Sequence, residues 1–272
     1  MGYYFNVALL LYPALFLSTV LFNSQTWSNL RKKDYDQLKR LQSKFIKRIV
    51  GVSYSTCTAF TFLELGILPI ECEIHIRQLC YLHRILNLDE TDPVHEMWRN
   101  MKVFHECGET NWWTGVSKLL DRYGLNINLD EVKEMSKARF KELVKMKVRQ
   151  CAFNDLKTEC QSKKKTGNMT YSELKLQPYF TKMFPGDSKT LFQCRSGTLD
   201  IKDHRTYKYK DRMCRGCGKQ EETLDHILNC NMENGEYEEK LCMDFNNSSE
   251  WEDLTVLRCV QRIKAFLAEI DG

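Results

Sequence analysis

A mainly α-helical fold is predicted from three observations. Apolar residues recur every three or four positions over residues 35–49, 129–146 and 254–270. No internal repeat and no βαβ alternation is present, and glycines close several of the periodic segments, at Gly51, Gly66 and Gly124. A chain of 272 residues holds one large domain or two small ones, and 43% apolar content is enough to build a core. The expected division is a helical region over 1–90, a helical connector over 91–200, a basic segment with a small zinc knuckle over 201–232, and an acidic loop with a C-terminal helix over 233–272.

The elements follow in order. Val7 to Phe22 carries no charge and reads as a hydrophobic helix bent or started at Pro13, packed against the next one. A signal sequence or a short membrane segment is the alternative. No basic residue precedes the run, it falls short of the roughly 20 residues a span needs, and no small-x-small cleavage pattern follows it. Asn29 to Lys33 is a polar connector. Asp34 is suited to cap a helix reaching Val50, with Tyr35, Leu38, Leu41, Phe45 and Ile49 as its apolar stripe. Thr58 to Leu65 is a short helix stopped by Gly66. Pro69 suits the first position of a helix reaching about Leu88, with Ile70, Ile74, Leu82 and Ile85 buried.

Asn87 to Thr110 reads as a connector with partial helix, and Trp112 to Tyr123 as a helix closed by Gly124. Leu129 to Gln161 is the longest amphipathic pattern, with Val132, Met135, Leu143 and Met146 on one stripe, broken by Lys163-Lys164-Lys165 and Gly167. Pro178, Pro185, Gly186 and Gly197 then punctuate short segments, and Leu191 to Arg195 is either helix or strand. Residues 233–250 read as an exposed acidic loop. The final helix, Leu254 to Ile270, places Leu254, Leu257, Val260, Ile263 or Lys264, Leu267 and Ile270 near one side.

The formal charge of +4 is too small to name a partner, but its distribution is uneven. Two basic blocks, 31–48 and 202–219, contrast with an acidic one at 221–253, so one face can meet a polyanion. Most of the twelve cysteines, such as Cys72, Cys80, Cys151 and Cys259, sit in apolar or helical patterns, where a free thiol behaves as a small hydrophobe. That usage implies a reducing compartment, hence an intracellular protein, cytoplasmic or nuclear.

One motif carries specific chemistry. Cys214-x2-Cys217-x8-His226-x3-Cys230 offers two thiolates on a tight turn that Gly216 and Gly218 permit. His226 and Cys230 follow four apart on one face of a short helix, Thr223 to Leu228. Four such ligands complete a closed tetrahedral site for one structural Zn²⁺ and leave no position for catalytic water. His204 is a lesser candidate for that shell. Around it, Arg205, Tyr207, Lys208, Tyr209, Lys210, Arg212 and Arg215 interleave charge with aromatic rings. That pattern suits phosphates and unpaired bases, and also a solvated face. The earlier basic positions Lys39, Arg40, Lys44, Lys47 and Arg48 carry the same two readings.

Several runs together resemble one family. They are Leu11-Tyr12-Pro13-Ala14-Leu15-Phe16, Ser24-Gln25-Thr26-Trp27 and Leu38-x2-Leu41-Gln42-x2-Phe45-Ile46-Lys47-Arg48-Ile49-Val50-Gly51, then Phe62-Leu63-Glu64-Leu65-Gly66-Ile67-Leu68-Pro69-Ile70. Phe192-Gln193-Cys194-Arg195-Ser196-Gly197, Cys214-Arg215-Gly216-Cys217-Gly218 and Glu222-Thr223-Leu224-Asp225-His226-Ile227-Leu228-Asn229-Cys230 follow. In this order, over about residues 7–232, the chain resembles the region after the polymerase core of LINE-type, non-long-terminal-repeat retrotransposon reverse transcriptases. The resemblance implies a thumb-like helical region, a connector and a knuckle that helps bind element RNA or target DNA, with the polymerase portion as a further partner. The family's aromatic-x-Asp-Asp motif is absent, and no Asp-Asp dipeptide stands in for it. Two-metal phosphoryl transfer needs converging carboxylates, and Asp244, Asp253 and Glu236-x-Glu238-Glu239 form no such pattern.

The expectation is therefore a non-catalytic, zinc-containing fragment that binds RNA or DNA, single-stranded by preference, with no small-molecule substrate. The alternatives are a helical protein-interaction module with a structural zinc site, or a membrane-attached protein using residues 7–22. Salt-dependent binding of single-stranded RNA separates the first two.

Overall fold

The computed structural model describes residues 9–28, 30–125, 128–230, 241–245 and 254–271. The acidic loop expected over 233–250 lies largely outside them. The fold is mainly helical. Among the described residues the only β pairing is two isolated antiparallel bridges, Leu65 with Leu176 and Met213 with Glu221. A π-helical turn, Tyr12–Leu17, runs into α1, Ser18–Val20; then come α2 (Lys32–Val50), α3 (Thr58–Leu65), α4 (Ile70–Leu86) and α5 (Pro93–Glu106). The series continues with α6 (Trp112–Arg122), α7 (Leu129–Glu134), α8 (Lys137–Gln161), α9 (Tyr179–Lys182), α10 (Pro185–Arg195), α11 (Leu224–Leu228) and α12 (Leu254–Asp271). No helix among the described residues is long and apolar enough to cross a membrane.

Two compact units result. Of the described residues, those within 11–45 and 67–156 form one; those within 9–10, 46–66 and 157–271 form the other. In the first, α4 supplies the centre. Cys72, Ile76, Leu79, Leu82 and Leu86 bury against Trp98, Trp113 and Val116, and against Phe140, Val144 and Val148 of α8. Side chains also tie down the turn after α1. Arg77 donates to the Leu21 carbonyl at 2.9 Å, Gln78 to Trp27 at 2.7 Å and Trp112 Nε1 to Gln25 at 2.9 Å. The opening helix packs on α2 as expected, with the Phe16 and Phe45 ring centroids 4.8 Å apart.

The register of α2 differs from its expected stripe. Leu41 is 49% exposed, whereas Gln42, Ser43, Ile46, Lys47 and Val50 are buried. The buried polar groups explain the rotation. Gln42 donates to Tyr12 Oη at 2.6 Å and to the Leu68 carbonyl at 2.8 Å, and accepts from the Ile70 amide at 2.9 Å. That last bond satisfies an orphan donor at the start of α4, where Pro69 at the cap has no side-chain acceptor to offer. Asp34 is not the cap. The helix begins two residues earlier, and the Asp34 carboxylate accepts from the Arg31 amide at 2.9 Å, the return arm of a capping box.

Two further differences arise from local capping. Asp92 accepts from the Val94 amide and Pro93 opens the helix, so the supposed connector contains the fourteen-residue α5. The long pattern after Leu129 breaks at Met135, whose backbone is extended and whose carbonyl lies 2.8 Å from His83 Nε2. On α8 the buried positions are Phe140, Val144, Val148, Ala152, Leu156 and Cys160, while Met146 is 54% exposed.

The second unit is organised by Glu64 at the end of α3. Its carboxylate is fully buried and receives Tyr171 and Tyr179 hydroxyls, both at 2.5 Å, and Arg195 Nη2 at 2.9 Å. Arg195 also donates to the Phe245 carbonyl. Burial, then the Glu64 charge, pushes both tyrosine hydroxyls up from their ordinary range, so they stay donors. Gly66 next to it has φ +64°, and a Cβ there would come within 2.5 Å of the Leu176 amide nitrogen. On α12, Val256, Cys259, Val260, Ile263 and Phe266 are buried, while Leu254 is exposed, shifting the expected stripe.

Replacing Glu64 by Gln leaves the buried Arg195 charge uncompensated. The expected loss is about 3 kcal/mol or more of unfolding free energy in urea titrations. A second expectation concerns acid. His75 is buried and shares a 2.7 Å hydrogen bond with Tyr123, and burial, then Arg122, lowers its pKa to about 3. Its unfolded value is higher, so the unfolded chain binds more protons and stability falls as pH drops from about 6.5 towards about 3. Urea midpoints measured across that range should fall with pH, and less steeply in His75→Gln.

Candidate metal centre

The ligands are positioned by a hairpin and a helical turn. Met213 and Glu221 pair across the hairpin, and the Cys214 amide donates to the Gln220 carbonyl at 2.7 Å. Gly218 turns the chain with φ +63°. The Gly216 amide approaches Cys214 Sγ at 3.3 Å and the Lys219 amide Cys217 Sγ at 3.5 Å, contacts that favour thiolate. Thr223 caps α11 by accepting from the His226 amide, and this starts the turn that carries His226.

Cys214, Cys217, His226 and Cys230 converge, with their ligand atoms within 4.8 Å of one another. Cys214 Sγ lies 3.7 Å from Cys230 Sγ, and Cys217 Sγ 3.3 Å from His226 Nε2. A tetrahedron with standard zinc bonds places sulfurs about 3.8 Å apart and sulfur from nitrogen about 3.5 Å. Cys214 and Cys230 are buried, and Cys217 and His226 half-buried. Burial holds the His226 imidazole below its ordinary value, in the neutral form a metal requires. Its Nδ1 lies 2.9 Å from Gln220 Oε1, which fixes the proton on Nδ1 and frees Nε2 for the ion. Three thiols this close cannot all ionise without a cation between them. The cluster fits one structural Zn²⁺. His204 is not among the converging ligands; its Nδ1 is buried without a partner, and burial lowers its pKa to about 4.

Gln220 and Glu222 carried no spacing signal in the sequence. Glu222 is buried inside the hairpin. It accepts from the Lys202 amide at 3.0 Å and the Arg215 amide at 2.9 Å, and pairs with Arg215 Nη2 at 2.6 Å. Burial alone would raise its pKa, but these bonds hold it below the ordinary range. The knuckle also joins the C-terminal helix, where Arg262 donates to the Leu228 carbonyl at 2.7 Å.

The basic candidates divide. Arg215 turns inward on Glu222 and stacks on Tyr209 at 4.9 Å. Arg205 donates to the Thr198 carbonyl, and Lys208 pairs with Asp200 at 2.9 Å. Lys210 and Arg212 are exposed, as is Tyr207 at 80%. In the other block, Lys47 is buried and donates to the Tyr54 carbonyl at 3.1 Å and Thr58 Oγ1 at 3.0 Å. Arg40, Lys44 and Arg48 are exposed, and Lys39 is half-buried.

No family model, curated protein or solved structure matches the chain.

Metal analysis of the purified protein should return one zinc per chain. Cys217→Ser should lose it, and amide exchange over residues 213–230 should rise while α2 to α6 stay protected, because metal binding contributes folding free energy only locally. Gln220→Ala should weaken zinc affinity by roughly 10- to 100-fold in chelator competition, the usual cost of losing a partner behind a ligand.

Proposed function

We propose that the protein is a non-catalytic helical interaction module whose C-terminal part is stapled by zinc. The observation that supports this best is an apolar cavity of about 360 Å³ within the unit of residues 11–45 and 67–156. Met97, Trp98, Met101 and Trp112 line it, and Thr26, Ser28 and Asn111 add polar groups to the lining. Met97 is 53% exposed, and Val103 and Phe104 on the same helix are exposed as well. Aromatic and methionine walls with a few polar groups suit an anchoring apolar side chain of a protein partner. A photo-crosslinker at position 97 should give a saturable protein adduct in cell extract, competed away by unlabelled wild type and not by Met101→Asp. Equal labelling from a crosslinker at exposed Glu131 overturns this reading.

A second reading is favoured by the three outward side chains Tyr207, Lys210 and Arg212: contact with single-stranded RNA or DNA, as in the retrotransposon polymerases the motifs resemble. Here the knuckle orients the basic stretch before it, and a polymerase portion is the further partner. Titration with fluorescent single-stranded RNA at several salt concentrations distinguishes the two. Under the second reading, replacing Lys210 and Arg212 with Ala flattens the log–log salt slope by about 1.4, from two lost phosphate contacts on a single strand. Zinc content stays unchanged. Absence of salt-steep binding leaves the interaction module.

A further inference from the structure

One surface joins an apolar part to a basic part. Tyr12, Phe16 and Leu21 are buried, but the opening helix and the turn after it expose Leu11, Ala14, Leu15 and Phe22, the last at 80%. No charged residue occurs between Leu11 and Leu30. The exposed hydroxyls are bonded back into the helix. Ser18 Oγ donates to the Ala14 carbonyl, and Thr19 Oγ1 to the Leu15 carbonyl at 2.7 Å. Water is therefore not needed to satisfy them.

The basic part lies on α2. Tyr35 and Gln42 meet α4: the Tyr35 and His75 ring centroids are 5.8 Å apart, and Gln42 bonds to Leu68 and Ile70. Phe45 lies under the opening helix, 4.8 Å from Phe16 between ring centroids. At about 100° per residue, the next position round α2 from Phe45, away from α4, is Leu41. Beyond Leu41 come Gln37, Lys44, Lys33 and Arg40, all exposed. The opening helix is thus held between α4 and this arc, and the arc begins beside it at exposed Leu41. No acid falls on the arc. Asp34, at its margin, is bonded to Arg31, and Asp36 lies beyond Arg40. All these residues belong to the unit of 11–45 and 67–156.

We propose that this surface docks on an anionic lipid bilayer, with Leu11, Leu15, Phe22 and Leu41 entering the headgroup boundary and Lys33, Arg40 and Lys44 meeting acidic headgroups. Charge and apolarity agree on this occupant. A polyanion such as RNA would meet the three cations but leave the leucines and Phe22 in water. A neutral apolar surface would bury the leucines and Phe22 but leave the cations unanswered. An apolar helix flanked by basic residues lies in the plane of a membrane interface and gains from both. The helix is too short to cross the bilayer, so it attaches along the surface.

The test uses the full zinc-loaded chain and sedimentation with two kinds of sucrose-loaded vesicle, phosphatidylcholine alone and phosphatidylcholine with phosphatidylserine. Wild type should bind the anionic vesicles at least about tenfold more tightly than the neutral ones. Raising NaCl from 0.1 to 1 M, which shortens the screening length from about 10 to about 3 Å, should remove most of that difference. These comparisons need no variant. Changing Lys33, Arg40 and Lys44 to Gln should lower partitioning about a hundredfold, from about fivefold per charge. Leu15→Ser with Phe22→Ser should lower it at least about tenfold on the same vesicles. Both side chains are exposed, and far-ultraviolet circular dichroism should show the helices retained. A matched removal of charge on α6, α7 and α8, with Lys118, Lys133 and Lys137 changed to Gln, should have little effect. Equal binding to neutral vesicles, equal loss in the matched variant, or no loss with the Leu15 and Phe22 changes overturns the proposal. So does a chain that ignores both vesicles and instead self-associates through Phe22, or binds single-stranded RNA through Lys33, Arg40 and Lys44.

Discussion

The buried Glu64–Arg195 pair is the constraint on which its unit depends. A carboxylate taken wholly out of water costs several kcal/mol unless it is paired and its remaining lone pairs are filled. Here the guanidinium and two tyrosine hydroxyls do both. Each donor comes from a different stretch: Tyr171 from the segment after α8, Tyr179 from α9 and Arg195 from the end of α10. Arg195 extends the network to Phe245. The unit is therefore specified by a polar centre as much as by apolar burial. Its fold tolerates no partial version, since a half-satisfied buried network is less stable than an apolar one.

That centre explains where the sequence was legible and where it was not. Elements with strong local punctuation could be read directly. Thr58–Leu65 ends at Gly66, Pro69 precedes Ile70–Leu86, and the Cys/His spacing announces a metal cluster. The buried face of α2 was harder, because hydrophobic periodicity assumes that polar residues face out, whereas on α8 and α12 the buried residues are apolar and only the choice of stripe differed. In α2, Gln42 and Lys47 are buried because their partners, Tyr12, Leu68, Ile70, Tyr54 and Thr58, lie elsewhere in the chain. No local pattern encodes such partners. The burial of Glu64 and Glu222 was not legible for the same reason: Glu64 is a single acid in an apolar run and Glu222 one of two adjacent acids in a polar stretch, and the partners of each lie outside that window.

The basic segment before the knuckle shows how a charge count differs from an available charge. Arg215 is held by a buried carboxylate and a tyrosine ring, and Arg205 and Lys208 by the Thr198 carbonyl and the exposed Asp200. An arginine bonded at both faces to a buried acid cannot leave for a phosphate without stranding that acid. Lys208, on an exposed pair, can exchange at little cost. Within this segment the outward charge is therefore less than the composition implies, and Lys210 and Arg212 are its exposed members not given a partner above.

The knuckle itself illustrates why a metal is placed there. Its helix, Leu224–Leu228, has five residues, too few to be stable alone in water. Its hairpin has a single bridge. Neither element carries enough apolar surface to order itself, the Thr223 cap contributes only modestly, and the attraction between Arg215 and the buried Glu222 is offset by the cost of taking that carboxylate out of water. Four ligands converging on one ion supply the missing free energy over seventeen residues. The Ile227 and Leu228 side chains then bury, and the Leu228 carbonyl is free to accept from Arg262 of α12. Ion, short helix and C-terminal helix thus form a sequence of dependence, in which the metal orders the turn and the turn presents the surface on which α12 packs.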